Sequence, residues 1–317
     1  PAPGPGQALV RIRAIGMNRS EFNYVQGRYF PPRSFPSGIG QEAIGEIVAL
    51  GPPSIDGPAP WSRTPLREGA RVGIMPGRVD LVSMGVYRDV GLYDQAALVP
   101  VPDDYSDAEG AGLWMGVLTM AGALARAGIT PDTAAGKAIL ITAASSSMGV
   151  LALKLARAWG ATTFATSRSA DKVAQLAALA DHAFVATDSE TLAAGVSAAL
   201  GARGFDVALD PVGALFYPGL AASAGQGARI VSYELITGQD TPVPLVPMLV
   251  KNLSLHGYTL FPLLQDPALL DRVLGWGMDY AAQIRPIVAG TRPLAEAPEA
   301  VAELGRAEHL GKLVLVP

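Results

Sequence analysis

One stretch constrains the fold of this 317-residue chain more than any other. Lys137 to Lys172 reads KAILITAASSSMGVLALKLARAWGATTFATSRSADK: an apolar strand, a small-residue turn, an amphipathic helix and a second strand. Ala138 to Ile141 is a continuous apolar run, as a parallel strand buried on both faces requires. Met148, Leu151, Ala152, Leu155, Ala156 and Trp159 then recur at helical spacing, with Lys154 and Arg157 on the opposite side. The spacing predicts a helix with one face packed on a sheet. Between them, the small residues from Ala144 to Ser147 and Gly149 let backbone N–H groups approach a pyrophosphate at the positive end of the helix. Two glycines of the usual G-x-G-x-x-G pattern are replaced by Ala144 and Ser146. An ordinary tight turn is the competing reading if the turn is taken alone.

The second strand of the unit, Thr162 to Thr166, argues for the phosphate site. A dinucleotide fold usually carries an acid here to accept from the ribose 2′-hydroxyl. Ser167 and Arg168 stand there instead, with Lys172 one helical turn further on. Nothing in that pattern repels a 2′-phosphate, and a guanidinium fork matches one. The expectation is NADPH rather than NADH, with solvated helix-start residues as the plainer alternative. Cofactor contacts are therefore expected from Ser145, Ser146, Ser147, Met148 and Gly149 on the pyrophosphate, and from Ser167, Arg168 and Lys172 on the 2′-phosphate.

The rest of the chain divides around this unit. Before it, Gln7 to Ile15 alternates, with Ala8, Val10, Ile12 and Ala14 on one face, and Ile39 to Leu50, Ala70 to Met75 and Ala96 to Val101 are further strand candidates separated by turns. The first hundred residues read as a compact, irregular β-barrel. After Ser106 helices alternate with strands: Ala183 to Val185, Phe205 to Leu209, Arg229 to Tyr233 and Leu253 to Tyr258. That alternation predicts an α/β fold with a doubly wound parallel sheet. Pro242 to Pro247 reads as a stiff loop, and Lys312 to Val316 as a closing strand. The expected division is residues 1–107, 108–260 and 261–317, the first and last forming one discontinuous domain around the nucleotide domain.

Composition narrows the chemistry. There is no cysteine and only three histidines, so disulfides and thiolate metal sites are excluded and a zinc site is poorly supplied. Redox chemistry must then come from a bound cofactor. A net charge of −4 offers no broad basic surface for nucleic acid or anionic membrane. The apolar run Gly110 to Ala125 is short for a membrane span and rich in glycine, which favours a buried helix. With no targeting signal visible, a cytoplasmic location is the expectation. The chain begins at Pro1 without methionine.

Gly16-Met17-Asn18, Gly40-Gln41-Glu42-Ala43-Ile44-Gly45, Ile141 to Gly149, Asp210-Pro211-Val212-Gly213 and Gly311-Lys312-Leu313-Val314 occur in order along almost the whole chain. Together they resemble the zinc-independent branch of the medium-chain dehydrogenase/reductase superfamily, the quinone oxidoreductase and enoyl reductase group. Zinc-dependent relatives carry histidine where Gln41 stands. The resemblance implies a GroES-like β-rich catalytic domain, a Rossmann domain, NADPH, and a homodimer joined at the edge strand near Leu253 to Tyr258. It also implies an N-terminal truncation, since members generally begin with further strands.

The residue roles that follow are expectations. Tyr29 matches the proton donor of similar enoyl thioester reductases, or else only lines the substrate cleft. Asn18 holds the substrate carbonyl or the nicotinamide ribose, or bonds its own backbone. Thr119 orients the nicotinamide or else back-bonds inside a buried helix, Asp210, Pro211, Val212, Tyr233 and Phe261 adjoin the cofactor, and Lys312 of the closing motif is counted with them. Tyr24, Tyr93 and Trp114 are expected against the substrate, with Phe261 and Tyr93 as cleft walls, while Arg28 and Arg33 would favour the phosphates of an enoyl-CoA. The expected activity is NADPH-dependent, metal-independent hydride transfer to an activated double bond of a quinone, enone or enoyl thioester. A non-catalytic NADPH-binding protein and a zinc-free carbonyl oxidoreductase are the alternatives.

Overall fold

The structure, a computed structural model, describes residues 2–32, 34–54, 66–234 and 236–317. Arg33, expected to add charge beside Tyr29, lies outside the described residues. The strands are β1 (Gln7–Gly16), β2 (Ala43–Leu50), β3 (Arg71–Ile74), β4 (Val90–Asp94), β5 (Leu98–Val99), β6 (Ala138–Ile141), β7 (Thr162–Ser167), β8 (His182–Val185), β9 (Phe205–Asp210), β10 (Ala224–Ser232), β11 (Ser254–Gly257), β12 (Val288–Pro293) and β13 (Lys312–Val316). They fall into two compact units. One comprises Pro1–Leu118, Phe261–Ala281 and Arg285–Pro317, and the other Thr119–Leu260 and Ala282–Ile284.

The first unit is built on a seven-stranded sheet in the order β12-β13-β1-β2-β3-β5, with β4 also paired to β1. Strand β1 carries the predicted alternation: Ala8, Val10, Ile12 and Ala14 are at most 3% exposed. It runs antiparallel to β2, β4 and β13, with Val10 opposite Ile47 and Gly91, and Ile15 opposite Leu315. The parallel pairing of β12 with β13 makes the sheet mixed. The closing strand therefore completes a sheet begun at the other end of the chain.

The second unit holds a six-stranded sheet, β11-β10-β9-β6-β7-β8, in which every described pair is parallel. Every residue of β6 is buried, because helices cover both faces of a parallel sheet. Chain order runs outward from β6 in one direction and from β9 in the other. The switch point between them lies at the carboxyl ends of those strands, the usual ligand position in open α/β sheets.

One expectation changes. The segment expected as a stiff proline loop instead starts a helix, Leu245–Val250. Pro247 falls in its first turn, where the N–H that proline lacks has no intrahelical partner to lose. Downstream of β7 a short helix spans Ala170–Leu176, capped by Ser169, whose Oγ accepts from Lys172 N at 3.4 Å. The apolar stretch Asp107–Arg126 is long enough to cross a membrane by composition, yet 78% of its window is buried in protein, as in a core helix.

Candidate active site

In the second unit, the turn after β6 leads into the helix Ser147–Ala158. Ala143 adopts a left-handed backbone at φ 47°, a conformation that costs an L-residue energy and is held by the surrounding structure. Ala144 N donates to Thr166 O at 2.9 Å and Ser146 N to Ala143 O at 3.1 Å, which fastens the turn to the end of β7. Ser146 then caps the helix, its Oγ accepting from Gly149 N at 3.1 Å. Gly149 is required by space: a Cβ there would lie 2.5 Å from Ala144 Cα. Ser145, Ser146, Ser147 and Met148 are half-buried around this helix N-terminus.

Asp210 closes the neighbouring strand end. It is fully buried, and its carboxylate accepts from Thr142 Oγ1 at 2.5 Å and Gly213 N at 2.8 Å. Burial nonetheless holds its carboxyl above the usual range. The Pro211 carbonyl accepts from Ile236 N and the Val212 carbonyl from Thr237 Oγ1, so this loop is tied to the segment following β10. Tyr233 leads that segment, and its hydroxyl is buried without a hydrogen-bond partner. Burial pushes its phenol well above the ordinary value, against a smaller lowering influence from Ser146, so it stays protonated and able to donate.

At the end of β7, Ser167 is 6% exposed and its Oγ accepts from Ser169 N at 3.3 Å. Arg168 is exposed and forms no ion pair among the described residues, and Lys172 is half-buried one turn on. Thr119 is half-buried on the helix Trp114–Arg126. A capped helix N-terminus with close backbone approach, an orphaned buried hydroxyl and an unpaired guanidinium fit a 2′-phosphorylated dinucleotide.

The first unit contains a polar cluster that sequence reasoning did not assemble. Lys312 and Glu42 are each 1% exposed, and Lys312 Nζ donates to Glu42 Oε2 at 2.7 Å and to Asn18 Oδ1 at 2.6 Å. Glu42 Oε1 accepts from Met115 N at 2.8 Å. Asn18 donates its amide hydrogens to Gly16 O at 3.1 Å and Glu42 Oε2 at 3.2 Å. Glu21 caps Asn18 N at 2.6 Å through Oε2, while its Oε1 is buried with no partner. Desolvation raises the Glu21 carboxyl to about 7, against the lowering influence of Lys312. The signal was present in the motifs Gly40-Gln41-Glu42 and Gly311-Lys312, but only the sheet pairing brings residues 270 positions apart together.

This cluster corrects two assignments. Lys312, expected on the cofactor, has its charge spent on Glu42 and Asn18 inside the sheet. Asn18, expected on the substrate, on the ribose or on its own backbone, has both amide hydrogens engaged within the protein, one of them on the backbone oxygen of Gly16. Two substrate assignments are corrected as well. Tyr93 is fully buried in the core with Val10, Ile47 and Leu98. Trp114, 1% exposed, donates from Nε1 to Pro100 O at 3.0 Å and packs where Gly73 and Gly277 leave room. Both side chains are enclosed in the apolar interior of the first unit, which leaves no face of either ring open.

The remaining candidates gather on the loop after the helix Arg19–Val25. Tyr24 Oη lies 2.5 Å from Ser37 Oγ, fastening that loop back to the helix. Tyr29 is half-buried and meets Phe30 edge-on at 5.1 Å, and Phe30 meets Phe261 edge-on at 5.5 Å. Phe261, expected beside the cofactor or as a cleft wall, extends this aromatic row and is 45% exposed. Arg28 is exposed on the same loop.

Comparison with known proteins agrees with this architecture. The family described as alcohol dehydrogenase GroES-like domain matches residues 4–103, and that described as zinc-binding dehydrogenase matches residues 147–272. A trans-enoyl reductase of Aspergillus terreus is 33% identical over 172 residues, 53% of this chain and 55% of that protein. Prostaglandin reductase-3 of Bos taurus is 28% identical over 275 residues, 82% of this chain and 66% of that protein. The chain thus spans between about half and two thirds of these relatives. The quinone oxidoreductase of Thermus thermophilus, solved also with NADPH, superposes with a TM-score of 0.80 at 26% identity, covering 100% of this chain and 94% of that one. Among the described residues no three His, Asp or Glu side chains gather as a metal ion requires, so the residues do not fit the zinc of the second description. Matched at both sheets, the chain belongs to the quinone oxidoreductase and enoyl reductase-like group of the medium-chain dehydrogenase/reductase superfamily.

Proposed function

We propose that the protein is an NADPH-dependent reductase of activated carbon–carbon double bonds or quinones, working without a metal. The observation that carries this reading is the turn from Thr142 to Gly149. It is a capped helix N-terminus with a glycine required by space, beside the unpaired buried hydroxyl of Tyr233 and one strand away from the unpaired Arg168. When bound there, NADPH supplies hydride. Ser145, Ser146 and Ser147 receive its pyrophosphate, Ser167, Arg168 and Lys172 its 2′-phosphate, and the names of the relatives support reductive chemistry on quinones and enoyl groups.

On the substrate side, Tyr29 is the group able to deliver a proton. A phenol is protonated at neutral pH, and the half-buried ring sits in an aromatic row with Phe30 and Phe261 that suits an apolar, conjugated acceptor. A second copy of the chain is the partner we infer. Leu245, Val246, Leu249 and Val250 are 64–72% exposed on the helix that precedes the edge strand β11, and a patch of this kind marks an interface.

The test is NADPH consumption with a simple benzoquinone, a trans-2-enal and a short enoyl-CoA, on the protein and on Tyr29→Phe. The expected result is turnover of the enal or thioester, reduced about 10²- to 10⁴-fold in the variant. Quinone turnover indifferent to Tyr29→Phe would remove the proton-donor role and leave a quinone reductase. NADPH binding without turnover of any acceptor would overturn the reductase reading. Light scattering on the same preparation should report a dimer, and a monomer at every concentration would refute the pairing.

A further inference from the structure

A carbonyl substrate that gains negative charge on its oxygen needs a hydrogen-bond donor there, and Asn18 cannot supply it. Its two amide hydrogens go to Gly16 O and Glu42 Oε2, and its oxygen receives Lys312. The lysine is likewise committed, within a pocket where it and its partner carboxylate are each 1% exposed. The donor must come from elsewhere.

Gln41 stands directly beside this cluster. Both of its neighbours are pinned. Gly40 holds a left-handed φ of +88°, and the Tyr87 ring approaches so closely that a Cβ on Gly40 would lie 2.4 Å from Tyr87 Cδ1. Glu42 on the other side is held by Met115 N, Asn18 and Lys312. The loop leading in from Tyr29 is anchored twice more, by Tyr24 to Ser37 and by the close approach of Gly38 to Leu81 O. Gln41 itself is half-buried, and its carboxamide makes no hydrogen bond among the described residues. A donor whose backbone is fixed and whose side chain is partly desolvated and unspent is pre-organised for a ligand, since little reorganisation remains to be made on binding.

We propose that Gln41 is a catalytic residue, its Nε2 donating to the carbonyl oxygen of an α,β-unsaturated aldehyde, ketone or thioester. A carboxamide stays neutral throughout, so it stabilises the oxygen without exchanging a proton, and the proton remains the task of Tyr29. The inference rests on the reductase reading above and narrows it to carbonyl-conjugated acceptors.

Two variants and two readouts test it. Gln41→Leu removes the donor, and Gln41→Glu keeps the shape but presents only acceptor oxygens near neutral pH. Both should lower kcat on trans-2-enal about 10²- to 10³-fold, the usual loss for one such donor, while the NADPH KM and the melting temperature stay at their original values. The loss should be smaller on a benzoquinone, whose own electrophilicity demands less help. The second readout needs no turnover: 4-(dimethylamino)cinnamaldehyde bound to the protein should show a red-shifted absorption that Gln41→Leu abolishes. A Gln41→Leu enzyme within about twofold of the original on the enal, or a probe shift equal in both proteins, would overturn the assignment. A protein that shifts the probe through Gln41 yet turns over no acceptor would uphold the donor and overturn only the reductase reading.

Discussion

Glu21 offers a direct test of how the buried cluster is balanced. It shares the pocket with one other carboxylate, Glu42, and a single ammonium, Lys312, whose nearest partners are Glu42 and Asn18. Glu21 keeps one oxygen on Asn18 N and buries the other without a partner. Its carboxyl is raised from 4.5 to about 7, chiefly by desolvation. An acid whose pKa is raised by folding binds more protons folded than unfolded between those two values, so stability is greatest below 4.5 and falls as pH rises through the interval. The rise corresponds to about 3 kcal/mol lost in full above pH 7, at about 1.4 kcal/mol per unit.

Glu21→Gln carries no charge and escapes this loss. Urea unfolding of both proteins between about pH 5 and 8.5, followed by tryptophan fluorescence, should show the variant gaining on the original. The added difference should grow from about 1 kcal/mol near pH 5 to about 3 kcal/mol by pH 8. If the two compact units unfold separately, only the transition of the unit containing Glu21 should carry the dependence. Stability curves that run parallel across that range would refute the argument, because a carboxyl ionised at every pH tested makes no pH-dependent contribution there.

Two further outcomes follow from the same geometry. Lys312→Met should destabilise the first unit by about 3–5 kcal/mol in denaturant at pH 7, because Glu42 stays buried and loses its cation; Lys312→Met combined with Glu42→Gln should recover much of that loss. Arg168→Ala should weaken NADPH about 10- to 100-fold in a fluorescence titration and leave NADH unchanged, as loss of one charge-assisted contact predicts; equal weakening of both would place Arg168 away from the 2′-phosphate.

The second unit is legible from the order of its residues. Its signals are local: four buried residues in a row for β6, an apolar stripe at helical spacing for Ser147–Ala158, a serine one position ahead of that helix, and a strand ending in Ser167-Arg168. Each is written within one turn or one strand, where spacing alone determines which side chains share a face. The helix at Leu245–Val250 was not legible, since proline marks both a loop and a helix's first turn.

The first unit was legible only in outline. The alternation of β1 foretold which face is buried, but nothing in residues 7–16 says that β13 lies against it. Tyr93 and Trp114 illustrate the consequence: a lone aromatic in a short strand or at a helix start reads equally as cleft wall or core, and its neighbours across the sheet decide. The cluster of Asn18, Glu21, Glu42 and Lys312 draws on three distant parts of the chain, and which amides remain free depends on bonds that form only when β1, β2 and β13 align. The sequence by itself therefore determined the family, the strand–helix alternation of a parallel sheet and the small-residue turn after β6, whose signals are motifs and periodicities written within single elements. Only the tertiary structure decided that Asn18 is spent and Gln41 is not, because hydrogen-bond partners are allotted by spatial neighbours that sequence distance does not encode.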